Sequence, residues 1–482
     1  MLWKYKHTSE NTMLPLLDRT SEEPMRRQLY FQLKAQILNG SMQAGEALAS
    51  TRQLASDLNI SRSTVVEAYD MLLAEGFLES RQGAQTVVAA GVAMQLAQKP
   101  VQSREPIAAP EILADFTTGR PDLSVFPRAQ WARLMQQSAQ TLSSSELNYS
   151  GPQGYLPLRQ EIASWLSRSR GISVCAEDVF ITAGATHALR ILADLLCPNG
   201  GRVMLEDPCH RGLYDTLTAS NCAIVPVPAD DHGLRIDLLA AYPRASMIYV
   251  TPSHQFPLGG ILPAARRAAL IRYAREENVY IVEDDYDSEF RFSGAPISPL
   301  YALDDERVIY IGTFSKSVFP ALRIGFALLP KRLQARWRYL RTHNDVQNPI
   351  FDQAALAAFL QTRAFDRYVR ASKNRYEKRR AALVTALEAA FGADCTVCGD
   401  AAGLHLAVRI AGYTFDEAFE RDCREAGILI RTMEWHCIEK GNHMDELVLG
   451  YGHMEPEEIE KSVRLLDRFM QKRAQNTSLA SK

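Results

Sequence analysis

From about residue 114 onward, short apolar runs alternate with stretches of helical periodicity, and few folds are open to a chain built that way. The runs Val179–Thr182 (VFIT), Val279–Val282 (VYIV) and Val308–Ile311 (VIYI) are too short for helices and almost wholly apolar, as in strands covered on both faces. The helical stretches between them supply the cover. The expected class is α/β with a mostly parallel sheet over 114–475, followed by a smaller C-terminal α+β subdomain from about residue 345. The chain before this, 14–88, reads as three helices and two short strands. Residues 89–113 (AAGVAMQLAQKPVQSREPIAAPEIL) are rich in Ala, Gln and Pro without sustained period and read as a linker.

The bulk numbers narrow the setting. A net charge of −2 gives no global pull toward nucleic acid or an anionic membrane. No apolar run is long enough to span a bilayer, and MLWKYKHTSE lacks the apolar stretch of a signal peptide. Eight scattered cysteines fit a reducing cytosol, so a cytoplasmic protein without a membrane partner is expected. Cys395 and Cys398 read as a coincidental C-x-x-C, and His436, Cys437, His443 and His453 lack the paired spacing of a zinc site, so no metal is expected.

In the N-terminal stretch, Gln28–Asn39 has helical spacing and stops at Gly40. Ser50 followed by Gln53 is a capping box that starts a second helix through Leu54 and Leu58. After a turn at Asn59–Ile60, Ser61 caps a third helix with Val65, Tyr69 and Leu72 on one stripe. Phe77–Ser80 and Gln85–Val88 then read as the strands of a wing. Two short helices joined by a tight turn make a helix-turn-helix, whose second helix presents its N-terminal residues to the major groove of a double-stranded operator. Against that stands the charge: residues 21–90 hold six Lys/Arg and eight Asp/Glu. DNA affinity comes mainly from phosphate neutralisation, so binding requires Arg52, Arg62 and Arg81 to converge on one face; a helical interaction domain is the alternative. The run from LYFQLKAQIL to GAQTVV closely resembles the GntR-type DNA-binding domain. The resemblance implies that Arg52 and Arg62 contact phosphate or base, with Ser61, Ser63 and Thr64 near the backbone. Ala49 stands where the family has proline, and Ala84-Gln85 where its wing has a second glycine, so helix contacts are better supported than wing contacts.

In the larger part, Lys316 follows the strand Val308–Ile311 amid Thr313, Ser315 and Ser317, with Arg323 seven residues on. A lysine just past a buried strand sits where open α/β sheets bind ligands, and a desolvated one has the lowered pKa that lets it attack an aldehyde. Glu283, Asp284 and Asp285 end another strand; three carboxylates there are compatible with magnesium and equally with a protonated pyridine nitrogen. Gly184, Ala185 and Thr186 open a helix, leaving bare N–H groups for a phosphate. A phosphate seat, an aldehyde-binding amine and a pyridinium counter-ion together describe pyridoxal 5′-phosphate.

The segments NYSGPQGYLPLRQEIASWL, ITAGATHAL, LEDP, TPSHQFPLGG, IVEDDYDSEFRF and GTFSKSVFPALRIG resemble fold-type I aminotransferases, a PLP-dependent transferase fold. Joined to a GntR-type module they resemble the MocR/GabR subfamily of regulators. That resemblance implies a Schiff base on Lys316, Asp284 on the ring nitrogen, Tyr286 on the ring hydroxyl, and Gly184, Ala185, Thr186, Thr313, Ser315 and Arg323 around the phosphate. It implies a homodimer, and a small-molecule amine, amino acid or cofactor vitamer as effector. His210 stands where the family has a ring-stacking tyrosine; an imidazole stacks with less area and can charge at mildly acid pH. The family's effector-carboxylate arginine has only poor matches: Arg431, then Arg409 and Arg211. A working aminotransferase with an appended DNA-binding module is the alternative to a ligand-gated regulator, and a structural role with a dead cofactor site is a third.

Overall fold

The computed structural model describes residues 15–80, 85–92, 111–294, 297–399 and 401–480. The chain divides into two compact units, Met1–Ile107 and Ala108–Lys482. The middle of the expected linker lies outside the described residues.

In the first unit, helices α1 (Met25–Leu38), α2 (Thr51–Leu58) and α3 (Arg62–Ala74) pack around Leu29, Leu33, Ile37, Leu54, Val65, Tyr69 and Leu72. Both serine caps form, but the capping box expected at Ser50 is only half made, because the Gln53 side chain donates to Asp57 at 2.8 Å instead. Ser50 accepts from the Gln53 amide and Ser61 from the Thr64 amide, satisfying donors that a helix start leaves free. Asn59, at φ 50°, ends α2 in the left-handed conformation that Asn tolerates. Strands β1 (Leu78–Glu79) and β2 (Val87–Val88) pair antiparallel, and Ala47 bridges Val87 to complete a small sheet. The first helix begins one turn earlier than its apolar spacing suggests. Its buried Gln28 and Gln32 use their amides to hold the backbone of Asp18 and Leu16.

The second unit is built on an eight-stranded sheet: β3 (Val179–Thr182), β4 (Arg202–Asp207), β5 (Ala223–Asp230), β6 (Gly233–Leu234), β7 (Met247–Val250), β8 (Tyr280–Asp285), β9 (Val308–Thr313) and β10 (Gly325–Leu328). The spatial order is β3-β10-β9-β8-β7-β4-β5-β6. β9, β8, β7, β4 and β5 run parallel; β10 is antiparallel to both its neighbours and β6 folds back on β5. Alternate residues of β8 and β9 enter different cores. Ile281, Val308 and Tyr310 lie on one face, and Val282, Ile309 and Ile311 on the other. This double burial is why those runs are continuously apolar. Helix α4 (Ala185–Leu196) follows β3 directly.

The smaller subdomain stacks α5 (Ala364–Phe391) and α6 (Pro456–Ala480) on an antiparallel sheet of β11 (Cys395–Cys398), β12 (His405–Ile410), β13 (Arg431–Thr432) and β14 (Glu446–Gly450), in the order β11-β12-β14-β13. Its composition differs from a simple cut at residue 345. The helix Ile350–Gln361 buries Ala355, Leu356 and Phe359 in the large core. Conversely, Ala114–Asp115 pairs with Ile428–Leu429, and Phe116 joins the small core. Pairing between segments so far apart in the chain leaves no local signal. Cys395 and Cys398, three apart on a strand, alternate to opposite faces.

Candidate cofactor site and helix-turn-helix surface

The ends of β3, β8 and β9 converge on a cavity of about 250 Å³. Lys316, three residues past β9, lines it, and its Nζ donates to the Gly119 carbonyl at 2.7 Å. Gly119 has φ +72°, which favours glycine, and a Cβ there would stand 2.7 Å from that nitrogen and push the ammonium aside. Burial lowers the Lys316 pKa, and Arg323 adds to the effect against the opposing pull of Asp287 and Asp284. A lowered pKa is what an amine needs to act as a nucleophile near neutral pH.

Around the start of α4, groups suited to an anion come together. Ala185 and Thr186 line the cavity at the helix N-terminus, with Thr313, Ser315 and Arg323. Ser315 donates its amide to Thr313 Oγ1 at 3.2 Å, which orients both hydroxyls. Arg323 adopts φ +51°, uncommon outside glycine, and its Nη2 donates to the Ala183 carbonyl at 2.7 Å. Gly184 sits at φ +91°, where a Cβ would stand 2.9 Å from that same Nη2. The turn therefore favours glycine at 184, and a side chain there would displace the guanidinium.

Of the three carboxylates on β8, only Asp284 faces the cavity. Side chains alternate along a strand, so Glu283 and Asp285 point to the opposite face. There Glu283 accepts the Leu300 and Tyr301 amides at 2.9 Å each, and Asp285 pairs with Arg170 and accepts from Tyr310 at 2.5 Å. The three do not form one cluster for magnesium. Asp284 Oδ2 accepts from the Tyr249 hydroxyl at 2.5 Å, while Oδ1 is buried with no hydrogen-bond partner among the described residues. Burial pushes the Asp284 carboxyl up to about 7, reinforced by Asp285 and Asp287 and opposed by Tyr249 and Lys316.

A buried network supports this floor. The Tyr286 hydroxyl donates to the His254 carbonyl at 3.1 Å and lies 3.0 Å from His254 Nδ1, which is itself 2.9 Å from Asp287 Oδ2. Burial opposes charge on His254, but Asp287 outweighs it and raises the pKa. Tyr249, His254, Asp287, His405 and Gly119 were not singled out from the sequence. His254 and Asp287 do lie inside the TPSHQFP and VEDDYD motifs; Gly119 carries no local signal.

His210 lines the cavity with its ring 5.3 Å from that of Phe256. Burial lowers its pKa, so the charge expected at mildly acid pH is disfavoured. The arginines considered for an effector carboxylate are elsewhere engaged, and none lines the cavity. Arg431 pairs with Glu420 at 2.7 Å and lies over Trp435; Arg409 pairs with Glu446 and Asp445; Arg211 pairs with Asp215 at 3.1 Å and lies over Tyr214. In each case a nearby carboxylate has taken the guanidinium: for Arg211 it stands four residues on in the same helix, whereas the partners of Arg431 and Arg409 are remote in the chain.

Asp284 makes stability depend on pH. Its folded pKa of about 7 exceeds the ordinary carboxyl value of 3.8, so the folded state retains a proton the unfolded chain has already released. Its ionisation therefore opposes folding increasingly as pH rises from about 4 to 7, and steadily above that. In the cofactor-free protein, Asp284→Asn should gain stability relative to the parent as pH goes from about 5 to about 8, measured by denaturant midpoints. A difference independent of pH would contradict the assignment.

In the first unit, Ser61, Arg62 and Ser63 are exposed at the start of α3, with Thr64 half-buried. The Ser61 hydroxyl lies 2.8 Å from that of Ser63 and 2.7 Å from that of Thr64. Arg62 Nε donates to Thr51 at 3.3 Å, which brings it to the start of α2 beside exposed Arg52. Among the other described cations, Arg26 pairs with Glu67, Arg27 with Glu23 and Lys34 with Glu75, while Arg19 donates to the Asn59 carbonyl at 2.7 Å. Arg52 and Arg62 have no carboxylate partner among the described residues. Three of the glutamates that make this unit net acidic, Glu23, Glu67 and Glu75, are thus paired with cations other than Arg52 and Arg62. Arg81 and the wing tip, Gly83 and Ala84 included, lie outside the described residues.

Comparison with known proteins matches these units to two families. Residues 112–443 match aminotransferase class I and II, and residues 25–88 match the bacterial regulatory proteins of the gntR family. The chain is 32% identical over 473 residues to a probable rhizopine catabolism regulatory protein, MocR, of Rhizobium meliloti, covering 94% of each. It is 32% identical to the pyridoxine biosynthesis regulator PdxR of Corynebacterium glutamicum, covering 73% of this chain and 76% of that one. Among solved structures, the multiple substrate aminotransferase of Thermococcus profundus superposes with TM-score 0.70 at 24% identity, covering 76% of this chain and 93% of the other. LysN, the alpha-aminoadipate aminotransferase of Thermus thermophilus, solved with N-(5′-phosphopyridoxyl)-L-leucine, gives 0.68 at 26%, covering 75% and 92%. A gntR-family helix-turn-helix and an aminotransferase-like unit in one chain, matched nearly end to end by such a regulator, make this protein a member of the MocR/GabR subfamily of transcriptional regulators.

Proposed function

We propose that this protein is a cytoplasmic, DNA-binding transcription regulator that holds pyridoxal 5′-phosphate on Lys316 and senses an amine or a cofactor vitamer there. One observation carries the reading. Asp284 Oδ1 is a buried carboxylate oxygen without a partner among the described residues, in the same cavity as a lysine of lowered pKa and an anion seat at a helix start. An orphaned buried acceptor is costly unless a ligand satisfies it. A protonated ring nitrogen does so, and its charge draws Asp284 back to the ionised form. Bound pyridoxal phosphate supplies an aldehyde that an amine can take up and exchange.

The chain's own residues have distinct tasks in this reading. Lys316 offers the amine; Gly119 aims it. Asp284, oriented by Tyr249, holds the ring nitrogen, and Tyr286, steadied by His254 and Asp287, faces the ring hydroxyl. Gly184, Ala185, Thr186, Thr313, Ser315 and Arg323 hold the phosphate, and His210 covers the ring. In the other unit, Arg52 and Arg62 contact phosphate or base while Ser61, Ser63 and Thr64 approach the backbone of operator DNA. A homodimer would present two such helices to paired half-sites. A ligand can regulate only by binding one arrangement of the protein better than another.

Two measurements test this. Borohydride treatment of the cofactor-loaded protein should fix the label on Lys316; a label on another lysine would refute the assignment. Arg62→Ala should weaken operator binding about tenfold or more, in the range of ~1–3 kcal/mol for a specific contact, without altering cofactor content. Unchanged footprinting affinity would mean α3 is not the recognition helix. The same cavity equally suits a working aminotransferase. Sustained multi-cycle amino transfer with no operator found by footprinting would favour that second reading.

A further inference from the structure

The cofactor cavity also constrains the chemistry of any second molecule bound beside the cofactor. A carboxylate moved into a closed pocket needs a cation or free N–H and O–H donors to replace its water. Among the described residues, the only guanidinium lining the cavity is that of Arg323, which belongs to the anion seat at the start of α4. The only ammonium is that of Lys316, the amine reserved for the cofactor.

The hydroxyls on the remaining wall are already donating: Tyr249 to Asp284, Tyr286 to the His254 carbonyl, and Thr251 to Glu206 at 2.7 Å. Thr118 offers a neutral hydroxyl, which does not offset the desolvation of a charge. His405 lines the cavity with its Nε2 3.2 Å from the Pro257 carbonyl, so that nitrogen carries the proton. Burial keeps the ring neutral, its pKa far below the usual imidazole range, and the second nitrogen is therefore a lone-pair acceptor. A ligand hydroxyl or ammonium can donate to it; a carboxylate cannot. Leu189, Leu213, Phe256 and Leu404 supply apolar surface, and Asp284 and Asp287 add acidic groups.

Resting on the reading of this cavity as a pyridoxal phosphate site, we propose that the sensed ligand is a primary amine bearing hydroxyl or apolar groups and no carboxylate, sulfonate or phosphate. The wall attracts an ammonium, accepts hydrogen bonds from hydroxyls, and leaves a second anion without a partner among the described residues.

Matched pairs differing only at the far end test this on the full-length, cofactor-loaded protein. Ethanolamine is set against glycine, 3-aminopropan-1-ol against β-alanine, and 4-aminobutan-1-ol against 4-aminobutanoate, with 2-aminoethanesulfonate as the sulfonate arm. Saturation is read by the change in visible absorbance and by calorimetry. The alcohol of at least one pair should half-saturate at a concentration tenfold or more below its acid. Acids that bind as well as or better than their alcohols, as would happen if a second copy of the chain contributed a cation, overturn the proposal; so does a failure of every alcohol to bind. Borohydride labelling of Lys316 is run alongside. If Lys316 is labelled and the acids win, only the ligand class is wrong; if Lys316 is not labelled, the cofactor reading falls with it.

Discussion

Lys316→Ala is expected to abolish borohydride-fixed cofactor and the visible band of the loaded protein, while operator binding by the unliganded protein is retained. No other lysine lines the cavity among the described residues, so nothing replaces the lost amine. The anion seat and Asp284 remain, and the variant should still bind pyridoxal phosphate, but reversibly and removable by dialysis. The helix-turn-helix lies in a separate compact unit with its own core. Loss of DNA binding by the unliganded variant would show that the amine supports the fold rather than the cofactor. A retained covalent label would place the chemistry on another residue.

The second large effect is on stability. Arg379, 2% exposed, donates to Asp122 at 2.7 Å, to Glu455 at 2.6 Å and to the Gly452 carbonyl at 2.6 Å. Asp122, whose side chain is 4% exposed, also accepts from Ser124. Arg379→Met strands that carboxylate in the interior, and removing one partner of a buried pair typically costs ~3–5 kcal/mol. Arg375, 3.5 Å from Asp122, offsets part of this. The expected result is a marked fall in the denaturant midpoint of the second unit, partly restored by adding Asp122→Asn. A loss under ~1 kcal/mol would mean Arg375 takes over, leaving only the small value of a solvent-screened pair. The segment from Asp115 to Asp122 also carries Gly119 to Lys316, so the same variant should hold its cofactor less tightly.

Much of the candidate site, as a set of residues gathered on one cavity, was legible because its parts sit next to strong local signals. A buried strand announces itself by continuous apolar residues, and the residues directly after it must emerge at the sheet edge. Lys316, Asp284 and the Gly184–Thr186 turn were found that way. The caps at Ser50 and Ser61 were equally local, since each hydroxyl satisfies an amide three residues on. Glu283 and Asp285 show the limit. A run of acids has one composition but two faces, and the pleat sends only Asp284 to the cavity.

Residue order was enough for the helix-turn-helix, the covered parallel sheet and the amine, carboxylate and anion seat at its strand ends, because these depend on neighbours within a few residues. Which charges stay available was settled mostly on folding, the pairs Arg27–Glu23 and Arg211–Asp215, four residues apart, being the local exceptions. Arg431, Arg409 and Arg211 each meet an acid and leave the cavity, and three of the N-terminal cations are consumed by glutamates, whereas Arg52 and Arg62 stay free of any carboxylate among the described residues. Folding also brought Gly119 to Lys316 and His254 to Asp287 across long stretches of chain. Covalent spacing sets local geometry, whereas Coulomb and hydrogen-bond partners depend on distances in space that residue order does not encode.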